Sequence, residues 1–387
     1  MIRNILYLGA FTVLISWGCQ NRTSPTAAAA SADSVSTMPS WALPEFSKID
    51  SVNPILGPGN GNFKDPVTGK ESKWEERDVF NPAIVAKDGK VYMLYRAQDS
   101  AGTSRLGFAE SSDAVHFIRR EQPVFYPDND AYKAQEWPGG CEDPRIVADD
   151  KGVYYMTYTA YDGHTARLMV ATSSDLLHWK KYGSVFRKAM NGKYAAKWSK
   201  SGSIVSVYRE GEPVATKING KYWMYWGDTQ IWTATSDDLI NWTPVEMQAG
   251  EKPPVKLRSQ ALNMPELKIV LPTREGKFDS DLVEPGPPAI LTDKGILLIY
   301  NGRNVPAFGD TTLAEGTYTN AQVLFDKNDP TKIIHRMDTW FMKPEKPYEK
   351  TGQVNQVCFA EGLTNFKGRW YLYYGTADSK IAVAATK

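Results

Sequence analysis

The chain has 387 residues, a formal net charge of +1 and 42% hydrophobic residues, enough for a large core within one domain. The near-neutral balance supplies no basic stripe for nucleic acid and no acidic tail, so nucleic acid is excluded as the expected partner. Twelve Trp and 20 Tyr suit the core of an all-β fold and a sugar-binding surface alike.

At the N-terminus, Arg3 precedes an apolar run from Ile5 to Trp17, too short to span a bilayer comfortably and read as a signal-peptide core. The run closes on Gly18-Cys19, which resembles a bacterial lipoprotein signal with Cys19 as the lipidated residue. A plain secretory signal is the alternative. Residues 20–45, rich in Ala, Ser and Thr, are expected to be a flexible tether ahead of a domain over 46–387. The expected location is therefore exported, with the membrane reached through the lipid alone. Cys141 and Cys358 are the other two cysteines, and with four scattered histidines they give no metal spacing. Neither metal nor cofactor is expected.

Five aromatic strand patterns follow in chain order: Tyr92–Arg96, Tyr154–Tyr158, Tyr222–Trp226, Ile296–Tyr300 and Trp370–Tyr374. Each comes after a turn pair, Asp88-Gly89, Lys151-Gly152, Asn219-Gly220, Lys294-Gly295 or Lys367-Gly368, the signature of a hairpin feeding a strand. In three units a second element recurs, beginning at Ala109, Ala171 and Ala234, and the copies lie 62 and 63 residues apart. It joins a Ser-Asp or Asp-Asp turn to His116-Phe117, His178-Trp179 or Asn241-Trp242, where the two histidines are read as structural. No sustained helical period is present. The expectation is an all-β, five-bladed β-propeller, with chemistry sought just after the aromatic strands and in the loops entering them. A β-sandwich is the simpler alternative.

Glycoside hydrolysis by inversion needs two carboxyls, one to protonate the departing oxygen and one to activate water. Asp143 lies in Gly139-Gly-Cys-Glu-Asp-Pro-Arg145, where Pro144 favours an extended Asp143 and the glycines permit an unusual path. Glu284 stands between apolar residues and Pro285-Gly-Pro-Pro288, while Asp228 and Asp378 follow the third and fifth aromatic strands in places taken as equivalent. Asn301 and Arg96 occupy the matching places of the fourth and first. For each carboxylate a local turn or a solvated loop is the alternative.

At these residues the chain resembles glycoside hydrolase family 130, the mannoside phosphorylases and related β-mannosidases. Asn81-Pro-Ala83, Tyr95-Arg96, Glu142-Asp-Pro-Arg145, Lys217–Tyr222, Pro285–Pro288 and Tyr374-Gly-x-Ala-Asp378 carry the likeness. The resemblance implies Asp143 as catalytic acid, acting through a sugar hydroxyl, and Asn81, Arg96 and Asp378 around the terminal mannose. Arg145 and Asn301 are added as substrate-binding candidates, although Arg145 serves equally as an ion-pair partner of Asp143. The family's phosphate-binding Lys, His and Arg fall here on Leu282, Asn301 and Gly227. Loss of those cations beside Glu284 and Asp228 resembles the family's hydrolytic branch. The expected activity is exo-acting, inverting cleavage of β-mannosides, β-1,2-linked ones included, with Glu284 and Asp228 supplying the base. A phosphorylase with an anion site around Arg209, Arg105 or Lys200, and a sugar-binding lipoprotein without catalysis, are the alternatives.

Overall fold

A computed structural model describes residues 38–253 and 264–387. The expected signal peptide and Cys19 lie outside the described residues. Those that are described are nearly all β, with two one-turn helices, Lys133–Glu136 and Pro347–Lys350. Among them no helix is long and apolar enough to cross a membrane.

All five aromatic patterns are strands, and each is the second of an antiparallel meander. The first unit runs Asp78–Lys87, Lys90–Gln98, Ser104–Ser111 and Ile118–Arg119, and the second Gly140–Ala148, Tyr154–Tyr161, Ala166–Ser173 and Lys180–Ser184. In the third, Ser203–Ile204, Lys221–Trp226, Ile231–Ser236 and Trp242–Pro244 follow one another, with the hairpin Ser206–Arg209/Glu212–Ala215 inserted. The fourth has a broken first strand, Leu282–Pro285 and Ile290–Leu291, then Ile296–Arg303, Tyr318–Phe325 and Ile333–Arg336. Cys358–Phe366, Arg369–Thr376 and Lys380–Ala385 make the fifth, whose fourth strand is Ser47–Lys48 from the other end of the chain. Single parallel pairings such as Ser104↔Gly140 and Ser206↔Ile290 join some units, and among the described residues no sheet closes on itself. Packing also begins before residue 46: Trp41 stacks on His335, and the Leu43 amide donates to Gln322.

Local chemistry explains the repeats. Asp88-Gly89, Asn219-Gly220 and Lys367-Gly368 all have positive φ at both residues, as a two-residue hairpin turn matched to strand twist requires. Asp113, Asp175 and Asp238 cap the turns between third and fourth strands. Each takes two backbone amides on one oxygen and a side chain, His116, His178 or Asn241, on the other.

A deeper element recurs in four units and ties their parts together. A buried carboxylate ahead of the first strand accepts from the last tyrosine of the aromatic strand and pairs with a cation on the fourth strand. The sets are Glu75–Tyr95–Arg119, Glu136–Tyr158–Lys181, Asp279–Tyr300–Arg336 and Glu349–Tyr374–Lys48. In the third unit Trp226 takes the tyrosine's place and packs on Phe186 and Trp232 instead. Since each carboxylate is almost wholly buried, removing either the carboxylate or one of its donors leaves a buried partner unsatisfied. We predict that Tyr158→Phe costs about 1–3 kcal/mol and Glu349→Ala about 3–5 kcal/mol in chemical denaturation.

Candidate active site

The site is built where the first strands lose their regular register. Residues paired with the position just after the aromatic strand's tyrosine (Trp226 in the third unit) are Phe80, Glu142, Glu284 and Phe359, and the Gly227 amide bonds the Lys200 carbonyl there. Next along the chain come register shifts or left-handed residues: Asn81 (φ 47°), Asp143 (φ 48°), Ser201 (φ 57°), and Glu361 between Ala360 and Gly362. Asn81 and Asp143 each precede a proline, so the extended conformation expected for Asp143 is not adopted. A bulge with its residue in the left-handed region turns the side chain inward, and Asn and Asp tolerate that region best. Contacts on the side chain hold the strain in place.

Asp143 is 3% exposed. Its Oδ1 accepts from Asn81 Nδ2 at 2.8 Å and Arg96 Nη1 at 3.0 Å, and its Oδ2 lies 3.4 Å from Lys200 Nζ. Burial alone would raise its pKa, but Arg96, Lys200 and Asn81 together hold the carboxyl well below the usual range. Arg96 also grips Glu142 at 2.6 Å and Ser104 at 3.0 Å, and lies over the Phe80 ring. Glu142 is pushed up by burial, against the pull of Arg96.

Opposite them, Glu284 accepts from Ser201 Oγ. Burial pushes it up to about 7, opposed by Lys200 and reinforced by Asp228. Asp228 accepts from Trp198 Nε1 at 2.8 Å, keeps its buried Oδ1 unpartnered, and is raised by burial. Asp378 is pushed up to about 6 by burial, with Arg96 pulling it down. Lys200 is central: burial disfavours its charge, but Asp143, Glu284, Glu142 and Asp228 raise its pKa.

The structure thus assembles Asp143, Glu284, Asp228, Asn81, Arg96 and Asp378 at one place. Asp228 and Asp378 both sit in turns between second and third strands, though at different offsets from Trp226 and Tyr374. Two of the expected substrate contacts lie behind the site. Arg145, 2% exposed, donates to the carbonyls of Gly286 and Pro285 at 2.7 Å each and to that of Asp143 at 3.3 Å. It holds Asp143 by backbone, not by the carboxylate. Asn301 is fully buried, bonding both Ala360 backbone groups and the Asn320 amide. Of the cations considered for an anion site, Arg209 pairs with Asp150 on the surface and Arg105 is locked between Asp65 and Asp99. Lys200 alone of these three stands at the site. Sequence reading did not place Ser201, Trp198 or Glu361 there. Glu361 had one signal, a lone acid inside the apolar run Cys358–Leu363.

A cluster of convergent carboxyls with unequal proton affinities, raised on repeated β units, fits the class of glycoside-cleaving proteins. The family described as β-1,4-mannooligosaccharide phosphorylase, glycoside hydrolase family 130, matches residues 52–387, and the chain belongs to it. It is 32% identical over 325 residues to a 1,2-β-oligomannan phosphorylase of Thermoanaerobacter sp. (strain X514), covering 81% of this chain and 91% of that one. A solved glycosidase-like protein of Bacteroides thetaiotaomicron VPI-5482 shares 48% identity with a TM-score of 0.84, over 90% of this chain and 99% of that one. A further solved relative, 45% identical with a TM-score of 0.85 over 91% and 96%, comes from work describing family members that hydrolyse β-1,2 mannosidic linkages in Candida mannan.

The lowered pKa of Asp143 has a thermodynamic sign. A depressed folded-state pKa adds stability above the unfolded value of about 3.9, lost as pH falls through the folded value. Asp143→Asn is therefore expected to flatten the loss of stability below about pH 4, measured by denaturation across pH.

Proposed function

We propose that this protein is an inverting β-mannosidase that releases mannose from β-1,2-linked mannosides, with water as nucleophile. The observation that carries this is the charge of the site. Asp143, Glu142, Glu284, Asp228, Asp378 and Glu361 are set against Arg96, Arg145 and Lys200, each already bonded or paired within the protein. With these three cations already engaged, a phosphate dianion would find no uncommitted positive charge among them to hold it. Two further facts agree. Gly227 has φ 121°, and a Cβ there would meet the Gln230 carbonyl at 2.2 Å, so no arginine fits on this backbone. Asn301, where the family's histidine would stand, is already bonded to Ala360 and Asn320. The five meanders are read as blades of a propeller with their first strands innermost. Export and a lipid on Cys19 remain part of the proposal, supported by the Ile5–Trp17 run.

Asp143 is the proton donor and Glu284 the base, with Asp228 beside it. At rest the proton sits on the other partner: Asp143 is held ionised, and Glu284 titrates near 7. The reactive form, protonated Asp143 with ionised Glu284, is thus the less populated arrangement of one shared proton. It disappears when that proton is lost. With β-1,2-mannobiose, kcat/KM should fall as pH rises through about 7. In Asp143→Asn acting on a mannoside whose leaving group needs no proton, only Glu284 matters, and the rate should instead rise through about 7. Glu284→Gln should lose about 10²–10⁴-fold on either substrate. Lys200→Met should move the limb alkaline, because Lys200 holds Glu284 down. Parallel limbs on the two substrates would refute the assignment.

The runner-up is a phosphorylase, favoured by the position of Lys200 at the site and by the names of the curated relatives. It predicts no turnover without phosphate.

A further inference from the structure

Beneath the site, Glu361 is wholly buried, and neither carboxyl oxygen has a hydrogen-bond partner. Its neighbour Ala360 is clamped by Asn301 through both backbone groups, and Gly362 packs against Ile84 and the Pro82 carbonyl, so the bulge is fixed on two sides. The charged groups that reach Glu361 are Arg145 and Asp143 on Gly140–Ala148, Glu284 on Leu282–Pro285, and Lys200 ahead of Ser203–Ile204. Arg145 Nη2 is nearest, at 3.6 Å from Oε2.

That distance is informative. An ionised carboxylate beside a guanidinium in a dry interior draws it into a short, commonly bidentate pair. Arg145 instead points its donors at three carbonyls, those of Asp143, Pro285 and Gly286. These belong to the bulge that carries Asp143 and to the strand that carries Glu284. An ionised Glu361 with no donor would cost far more at this depth than a neutral acid.

We propose that Glu361 is a positioning residue that keeps its proton in the working enzyme. Being neutral, it leaves the Arg145 guanidinium free to staple the Asp143 bulge to the Glu284 strand. Burial, reinforced by Asp143 and Glu284, pushes its pKa in the same direction. The role is independent of whether water or phosphate attacks, although its catalytic readout rests on the proton sharing proposed above.

The test compares wild type with Glu361→Gln. A group protonated in the fold and ionised in the unfolded chain weakens folding as pH rises above its unfolded value of about 4.3. Wild type should therefore lose stability relative to the glutamine variant by up to tenfold in the folding constant per pH unit above that value. A ratio that stays flat above that value, or that moves in favour of wild type, would overturn the proposal, because a Glu361 ionised in the fold binds no more protons than the unfolded chain there. Should the glutamine variant not fold, Glu361→Met, uncharged and similar in size, carries the same comparison. In turnover, the limb near pH 7 should stay in place in Glu361→Gln. A shift of that limb to lower pH would mean that a negative charge had been removed, and would also overturn the proposal. The stability slope reads Glu361 even if β-mannoside hydrolysis is disproved.

Discussion

The architecture depends on a buried carboxylate held between a tyrosine hydroxyl and a cation of the same meander. In each of four units this set fastens the segment ahead of the first strand to the second and fourth strands. The pinned tyrosines, Tyr95, Tyr158, Tyr300 and Tyr374, sit one residue before the row where the first strands become irregular. Glu349 and Lys48 also join the two ends of the described chain, because Ser47–Lys48 completes the fifth unit. A lone buried ion pair adds little to stability, but removing one partner is costly, so such sets act mainly as fasteners of one geometry.

From that frame the first strands and the segment just ahead of Ser203 bring Asn81, Asp143, Ser201, Glu284 and Glu361 together, and electrostatics then divides the carboxyls. Asp143, gripped by Arg96, Lys200 and Asn81, is held low, while burial pushes Glu284 and Glu361 up. Unequal proton affinity between Asp143 and Glu284 is what an acid–base pair requires. In the proposed mechanism its direction, with Asp143 held low and Glu284 pushed up, makes the reactive form a minor one.

Much of this was legible in the sequence, because hairpin turns and period-two aromatic strands are local signals. Asp88-Gly89 and Asn219-Gly220 adopt the conformations their residue types favour, and all five aromatic runs are strands. Asp143 stood out through its glycines and proline. Its conformation did not, since the local preference of a residue before proline is overridden by Asn81, Arg96 and Lys200, which arrive from other units. Arg145 and Asn301 were assigned to substrate because spacing places a residue near a site without saying which way it faces. Glu361 and Ser201 were missed for the complementary reason, as a bulge becomes visible only once the partner strand fixes the register.

The central claim is that this site directs water, not phosphate, at the mannosyl bond. The direct measurement is the product formed from β-1,2-mannobiose by the wild-type protein at saturating phosphate and in its absence. The account predicts mannose at equal rates in both, released first as the α-anomer, with no phosphorus resonance from a sugar phosphate. Mannose 1-phosphate as product, with no turnover when phosphate is withheld, would contradict it.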